Sequence, residues 1–406
     1  MKRYFNIAVF FLSFVLISNA QTDTQQYRRS SLYQLMINHT KQKFANEIKD
    51  VFLQMPVSEH FNDHDLAVKV IEMDKSLKGA GSDKENETVS RWLEDNMVAS
   101  RLVAKWFNRD YYTGKCDMEL VKERGRYNAS AFDQAVASHS IRGNAMLEDA
   151  GEQLIGNTFV IVNDIKYMDK SKIGVALKIG LSIAGTAFGA ATGNMSNANA
   201  FNTLGDMAET LKGFKVKINT YLYKLEWNDE IASNFYQFQY GVEDNTPAKE
   251  AFENARGTYK LTYVGKQESS GSTTSFLGVN LDTPTAMVRK ACQRAVDENV
   301  ANLQHDYEEF RTKSPLLSSE PITAAIGLKE GIDEKSVFEV LEVFEQADGT
   351  VNYKQVAKIK PIKTLIWDNR YMAEEEAAPN STLGFTTFMK VSGGEIYPGM
   401  LIRETK

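Results

Sequence analysis

Between residues 283 and 321 the chain changes its hydrophobic period, so one architecture cannot serve both sides of that change. Before it, Val288, Cys292, Ala295, Val296, Val300, Leu303, Tyr307 and Phe310 recur three to four residues apart, the spacing of one helix face. Thr283-Pro284 opens this helix, because proline fits a first helical turn. Lys313–Pro321 contains two prolines and reads as a linker. Beyond it the pattern is strand and turn. FEVLEVF (338–344), VNYKQVAKIK (351–360), Thr364–Trp367 and MLIRE (400–404) read as strands, with a turn at Asp348-Gly349. Residues 315–406 are therefore expected to form a small separate β domain, barrel-like in architecture.

Upstream, both periods occur. Thr40–Met55, Thr88–Asn108 and Ser130–Ile155 read as amphipathic helices, and Pro56 ends the first. Leu66–Val70, Thr158–Val162, Phe214–Trp227 and Tyr259–Val264 read as strands. Asn163-Asp164 reads as a turn, and Ser269–Ser275 as a loop. The apolar phase of the 214–227 segment shifts near Thr220, which implies a bulge or a change of buried face. The expected fold class is α+β: a helix-rich N-terminal region (21–150), a central α+β domain (151–312) and the C-terminal β domain.

The first twenty residues carry an address. Lys2 and Arg3 precede the apolar run Phe5–Ile17, and Ser18-Asn19-Ala20 ends it before Gln21. That is the order of a secretory signal peptide over residues 1–20, with an apolar part shorter than the roughly 20 residues of a spanning helix. Formal charge is −6, from 47 basic and 53 acidic residues, which argues against nucleic acid as a partner. Hydrophobic residues make up 43 % of the chain, enough for buried cores. Cys116 and Cys292 are the only cysteines. Their spacing leaves pairing open, and no CxxC metal pattern is present.

Chemistry-bearing motifs are sparse. His60, Asp63 and His64 form the one local cluster of metal-capable side chains. Histidines four apart share a helix face, but the Asn62-Asp63 pair favours a turn, so no metal and no cofactor are expected. There is no GxSxG elbow and no GK[ST] phosphate loop. His139 falls on an apolar helix stripe, as a core histidine would, and Asp368 falls in a turn after a strand. Ile173–Ala191 is the most apolar stretch after the signal and holds one charge, Lys178. Gly185, Gly189 and Gly193, at four-residue intervals, would line one face of a helix there and admit a second helix closely. At roughly 1.5 Å per residue its nineteen residues span about 28 Å, near a bilayer core. Burial inside the protein is the favoured reading, and membrane contact or self-association is the alternative.

The signal ending SNA-Q, the stretch FNDHDL (61–66) and IGLKEGI…FEVLE…IWDNRY (326–371) resemble uncharacterised exported proteins of Bacteroidota-type bacteria. The turn Gly327-Leu328-Lys329-Glu330-Gly331-Ile332 before a strand with F-x-V is similar to small β modules that end periplasmic assembly proteins. The resemblance covers about a quarter of the chain and implies no catalytic residues. The expected protein is exported to the periplasm or the periplasmic face of the outer membrane. It is expected to act without catalysis, through an envelope protein partner. A membrane-associated assembly or pore component using residues 173–193 is one alternative. A hydrolase with dispersed residues is the other. Cleavage is expected after Ala20: N-terminal sequencing of the processed protein should begin at Gln21, and a mature chain starting at Met1 would overturn the export reading.

Overall fold

The computed structural model describes residues 28–73, 82–127, 145–169, 214–272, 284–345, 351–374 and 383–405. In chain order the first part runs β1 (Ser31–His39), α1 (Ala45–Leu53), β2 (Asn62–Asp63), β3 (Val70–Met73), α2 (Ser82–Asp95), α3 (Val98–Trp106) and α4 (Glu119–Tyr127). It continues with α5 (Ala145–Gly156), β4 (Thr158–Asp169), β5 (Phe214–Leu225), α6 (Asp229–Asn234), α7 (Thr246–Ala255), β6 (Leu261–Ser272) and α8 (Pro284–Asp306). Six strands follow: β7 (Ser314–Ser319), β8 (Ile322–Ala324), β9 (Phe338–Glu345), β10 (Val351–Pro361), β11 (Thr386–Gly393) and β12 (Leu401–Glu404). The fold class is α+β.

Strand β1 organises the first sheet, and all nine of its residues are buried. It pairs in parallel with β2 and β3 along one edge and with β4 along the other. Strands β4, β5 and β6 continue the sheet antiparallel. Because side chains alternate across a strand, Tyr33, Leu35 and Ile37 enter one core, and Leu32 and Met36 the other. The first core is closed by Leu93, Leu102, Trp106, Leu154 and Phe252 from α2, α3, α5 and α7. The second is closed by Ile48 and Phe52 of α1 and by Val288, Cys292, Val296 and Leu303 of α8. Helix α8 thus shows the period read from its sequence, ending at Asp306 rather than near Arg311.

Several expectations change. The N-terminal region is not simply helix-rich, since it supplies β1, β2 and β3 to the sheet. Residues 88–108 do not form one helix: α2 ends and α3 begins around Met97, whose φ of 50° breaks the helical path. Helix α1 starts at Ala45, after Phe44 with φ 61°. Asn163 and Asp164 lie inside β4, and Ser269 lies inside β6, each buried and paired within the sheet. Strand β5 keeps unbroken register with β4, while its pairing with β6 shifts between Leu222 and Tyr223. The apolar phase of β5 therefore follows a change in which face is covered, as Val216 and Ile218 enter one core and Tyr221 and Tyr223 the other. Cys116 and Cys292 are both free and lie in cores on opposite faces of the sheet.

The C-terminal strands close into a barrel of order β10-β11-β8-β7-β12-β9. Its interior is filled by Leu316, Phe338, Val340, Ile359, Phe388 and Ile402. The segment read as a linker is its first strand: Pro315 pairs with Leu401, and Leu316 with Ala324. The segment Thr364–Trp367 is not a strand but runs through a short 3₁₀ turn at Lys363–Leu365.

Gly271 marks how closely α8 approaches β6. A Cβ there would stand 1.9 Å from the carbonyl oxygen of Ala291, a clash against backbone. Gly271→Ala is expected to cost about 1–3 kcal/mol, as overpacking does. A thermal melt equal to the parent's would show that the helix can withdraw freely.

Candidate functional site

The local cluster His60, Asp63 and His64 does not converge. His60 directs Nε2 to a carboxylate oxygen of Glu330, 3.4 Å away on the turn before β9. Asp63 is exposed, and its carbonyl accepts from Arg124. His64 is fully buried, stacked on Trp106 with ring centroids 5.0 Å apart. The Arg124 guanidinium donates to Nδ1 at 2.8 Å, so the ring carries its proton on Nε2 and donates it to the Leu102 carbonyl at 3.0 Å. Both nitrogens are thereby used, and burial followed by the Arg124 charge pushes the imidazole pKa well below its ordinary value. A neutral ring with two committed nitrogens has none left for a metal. Among the described residues no group of three His, Cys, Asp or Glu is placed to hold a metal ion.

Arg124 is the centre of a structural knot. It donates to the Ser31 hydroxyl at 3.0 Å and sits 4.4 Å above the Trp106 ring. Burial lowers its pKa to about 10, against the opposing charges of Glu123 and Asp63. Trp106 in turn donates to Thr158 on β4 at 2.8 Å. Four elements meet at one guanidinium.

A second buried cluster is absent from any sequence signal. His39, at the end of β1, bonds Asp164 of β4, and Lys166 reaches the other oxygen of Asp164 at 2.6 Å. Burial pushes the Asp164 carboxyl up, but His39 and Lys166 outweigh it and the pKa falls below the ordinary value. On the opposite face Thr220 donates to Asn163 at 2.8 Å, and Asn299 of α8 donates to Thr220 at 2.8 Å. These groups staple strands and helix together. The pairing of β1 with β4 is what brings His39 to a residue 125 positions away.

Among the described residues an open space lies where α8 meets the barrel. A cleft of about 340 Å³ is lined by Ser270 and Ser272 of β6, by Arg294, Asp297, Glu298 and Asn302 of α8, by Lys329, and by Arg370. The α8 residues recur at helical spacing, so one face of α8 forms a wall. The turn holding Lys329 is braced: Glu330 accepts from the Gly327 amide at 2.7 Å and from Asn369 at 2.7 Å, in addition to His60. Burial pushes the Glu330 carboxyl up, but these partners hold it below its usual range. Asp297 is different. Burial raises its pKa to about 6, against the smaller pull of Lys329 and of Gln293, which donates to it at 3.0 Å. Glu298 is also raised by desolvation. Arg294 donates twice to the Tyr371 carbonyl at 3.0 Å, and Arg370 clamps Asp368 at 2.7 and 2.8 Å. Asp368 lies in irregular chain after the 3₁₀ turn at Lys363–Leu365, not in a turn after a strand.

The outer wall of the barrel has its own feature. Phe385, just before β11, and Met389 and Val391 within it are exposed by 41, 47 and 54 %, whereas Thr386 and Phe388 are buried. Lys360 lies opposite Met389 in the ladder, and Lys358 opposite Ser392. A row of apolar side chains therefore runs beside lysines on the solvent face.

Gly185, Gly189, Gly193 and His139 lie outside the described residues, as does the signal segment. No protein-family model and no curated protein matches this chain.

The Asp297 carboxyl yields a pH test. Its native pKa lies above the unfolded value near 3.8, so the native state holds more protons between about pH 4 and 6, and stability falls as pH rises through that window. Lys329, Gln293, Glu330 and Glu59 are the neighbours that set this balance. Asp297→Asn is expected to stabilise the protein by about 1–2 kcal/mol above pH 6, with the advantage vanishing near pH 4. Melting curves of parent and variant across pH 4–7.5 check this, and a pH-independent difference would refute it.

Proposed function

We propose that the protein is exported to the cell envelope, to the periplasm or the periplasmic face of the outer membrane, and works there without catalysis through protein–protein contacts. The observation that carries the protein-contact part of this reading is the exposure of Met389 and Val391 on the barrel wall and of Phe385 just before it, near Lys358 and Lys360, while export rests on the order of residues 1–20. Exposed apolar side chains grouped beside charge favour association over solvation. The barrel is closed, so a partner cannot add a strand to it and must engage side chains. The fitting partner is an envelope protein presenting apolar side chains bordered by carboxylates. Among the described residues no helix is long and apolar enough to cross a membrane. The membrane-associated alternative uses residues 173–193, which lie outside the described residues.

The test is a pull-down from native envelope extracts with the mature chain and with Met389→Asp/Val391→Asp. Both positions are about half exposed, so the double variant should melt within a few degrees of the parent. It should also lose a saturable, salt-weakened partner that the parent retains. Equal recovery of every partner by both proteins would remove the barrel wall from the reading.

A further inference from the structure

We propose that the open edge of β6 pairs with β6 of a second copy of this chain, antiparallel and centred on Gln267, so that two molecules share one continuous sheet. The two edges of the first sheet are unlike. At one edge stand β2 and β3, of two and four residues. Such short strands give a foreign strand little to pair with. At the other edge stands β6, twelve residues long and free of proline. Among the described residues it pairs with β5 alone, whereas every strand of the closed barrel has two neighbours. An edge strand turns a row of N–H and C=O groups outward, and a further strand is what satisfies them in register.

The edge is held ready. Gly265–Ser272 keep unbroken register with β5, because the one irregularity in that pairing leaves Val264 unmatched. Ser269 donates to the Ala295 carbonyl at 2.7 Å, and Gln267 donates to Asp306, so one face of the strand is tied to α8. A strand fixed in advance has little conformational freedom left to lose on pairing.

Charge selects both the occupant and the register. Side chains alternate across a strand, so Lys266 and Glu268 project on the face away from α8. Glu268 meets Lys217 of β5 there at 2.8 Å with half of its side chain exposed. Lys266 stands 5.8 Å from the centre of the Tyr221 ring. When two copies align antiparallel about Gln267, Lys266 of each lies directly opposite Glu268 of the other, and the two-fold axis makes that pair twice. Centring on Lys266 or on Glu268 instead sets like charges opposite one another, which is destabilising. A one-residue slip turns the side chains of one copy to the other face of the sheet. A carboxylate has lone pairs for more than one ammonium group, so Glu268 keeps Lys217 while meeting its new partner. The edge is complementary to itself, and a second copy carries the matching pair by construction.

The experiment is sedimentation velocity of the full mature chain across the micromolar range. It is repeated on Lys266→Glu, on Glu268→Lys, on an equimolar mixture of the two, and on the double exchange. The parent should show a reversible equilibrium between monomer and dimer. Each single variant sets like charges opposite one another twice and should weaken the dimer tenfold or more. The mixture should recover it, since a chain with two acidic positions then faces a chain with two basic ones. The double exchange should dimerise as the parent does. Circular dichroism checks that each variant is folded, and a variant with a damaged fold would not be rescued by mixing. Met389→Asp/Val391→Asp should dimerise as the parent does, which separates this edge from the proposed envelope-partner surface. A parent that stays monomeric throughout, single variants that dimerise like the parent, a mixture that fails to recover the dimer, or a dimer lost with the barrel-wall variant would each overturn the proposal.

Discussion

Strand β1 has neither a face nor an edge to offer water, and the rest of the α/β part is arranged around that fact. Its backbone groups are shared with β2 and β3 on one side and β4 on the other. Buried backbone polar groups must be paired, so those three segments cannot leave without stranding them. Its polar side chains are subject to the same demand. Ser31 is met by Arg124, Asn38 by Glu72 and His39 by Asp164. Each of these bonds reaches a different element, so these three polar residues of β1 help to specify register.

That arrangement explains what sequence reasoning missed. A strand buried on both faces does not alternate, and Ser31-Leu-Tyr-Gln-Leu-Met-Ile-Asn-His39 gives no period-two signal to read. Asn163-Asp164 has turn composition, but β4 buries both residues against partners contributed by β1 and β5. By contrast, α8, β9 and β10 were legible because one face of each meets an apolar core and the other is polar. The boundary at 313–321 was legible as a change of period but not as structure. Its prolines sit in a strand and a turn of a small barrel, where few ladder bonds are needed from them.

The cleft was legible only in pieces. Nothing in the local order of Ser270, Asp297, Lys329 and Arg370 links them, since they come from a strand, a helix and two barrel loops. The turn at Gly327–Ile332 was visible as a motif. Its role as a brace, fixed by His60 from the first half of the chain, required the tertiary structure. The same bond shows how the two histidines of the local cluster part. His60 turns toward the barrel while His64 turns into the opposite core, each satisfied before any ligand arrives.

The distance in sequence between β1 and β4 has a consequence for how the chain comes to be folded. Residue 31 finds its partner at 158, and the β4–β5 ladder extends to residue 224. Contacts so far apart form late, because loop closure must precede them. A chain emerging with its N-terminus first cannot pair its opening strand with β4 until roughly two-fifths of its length is available. The β1–β4 pairing locks only when that distant strand arrives.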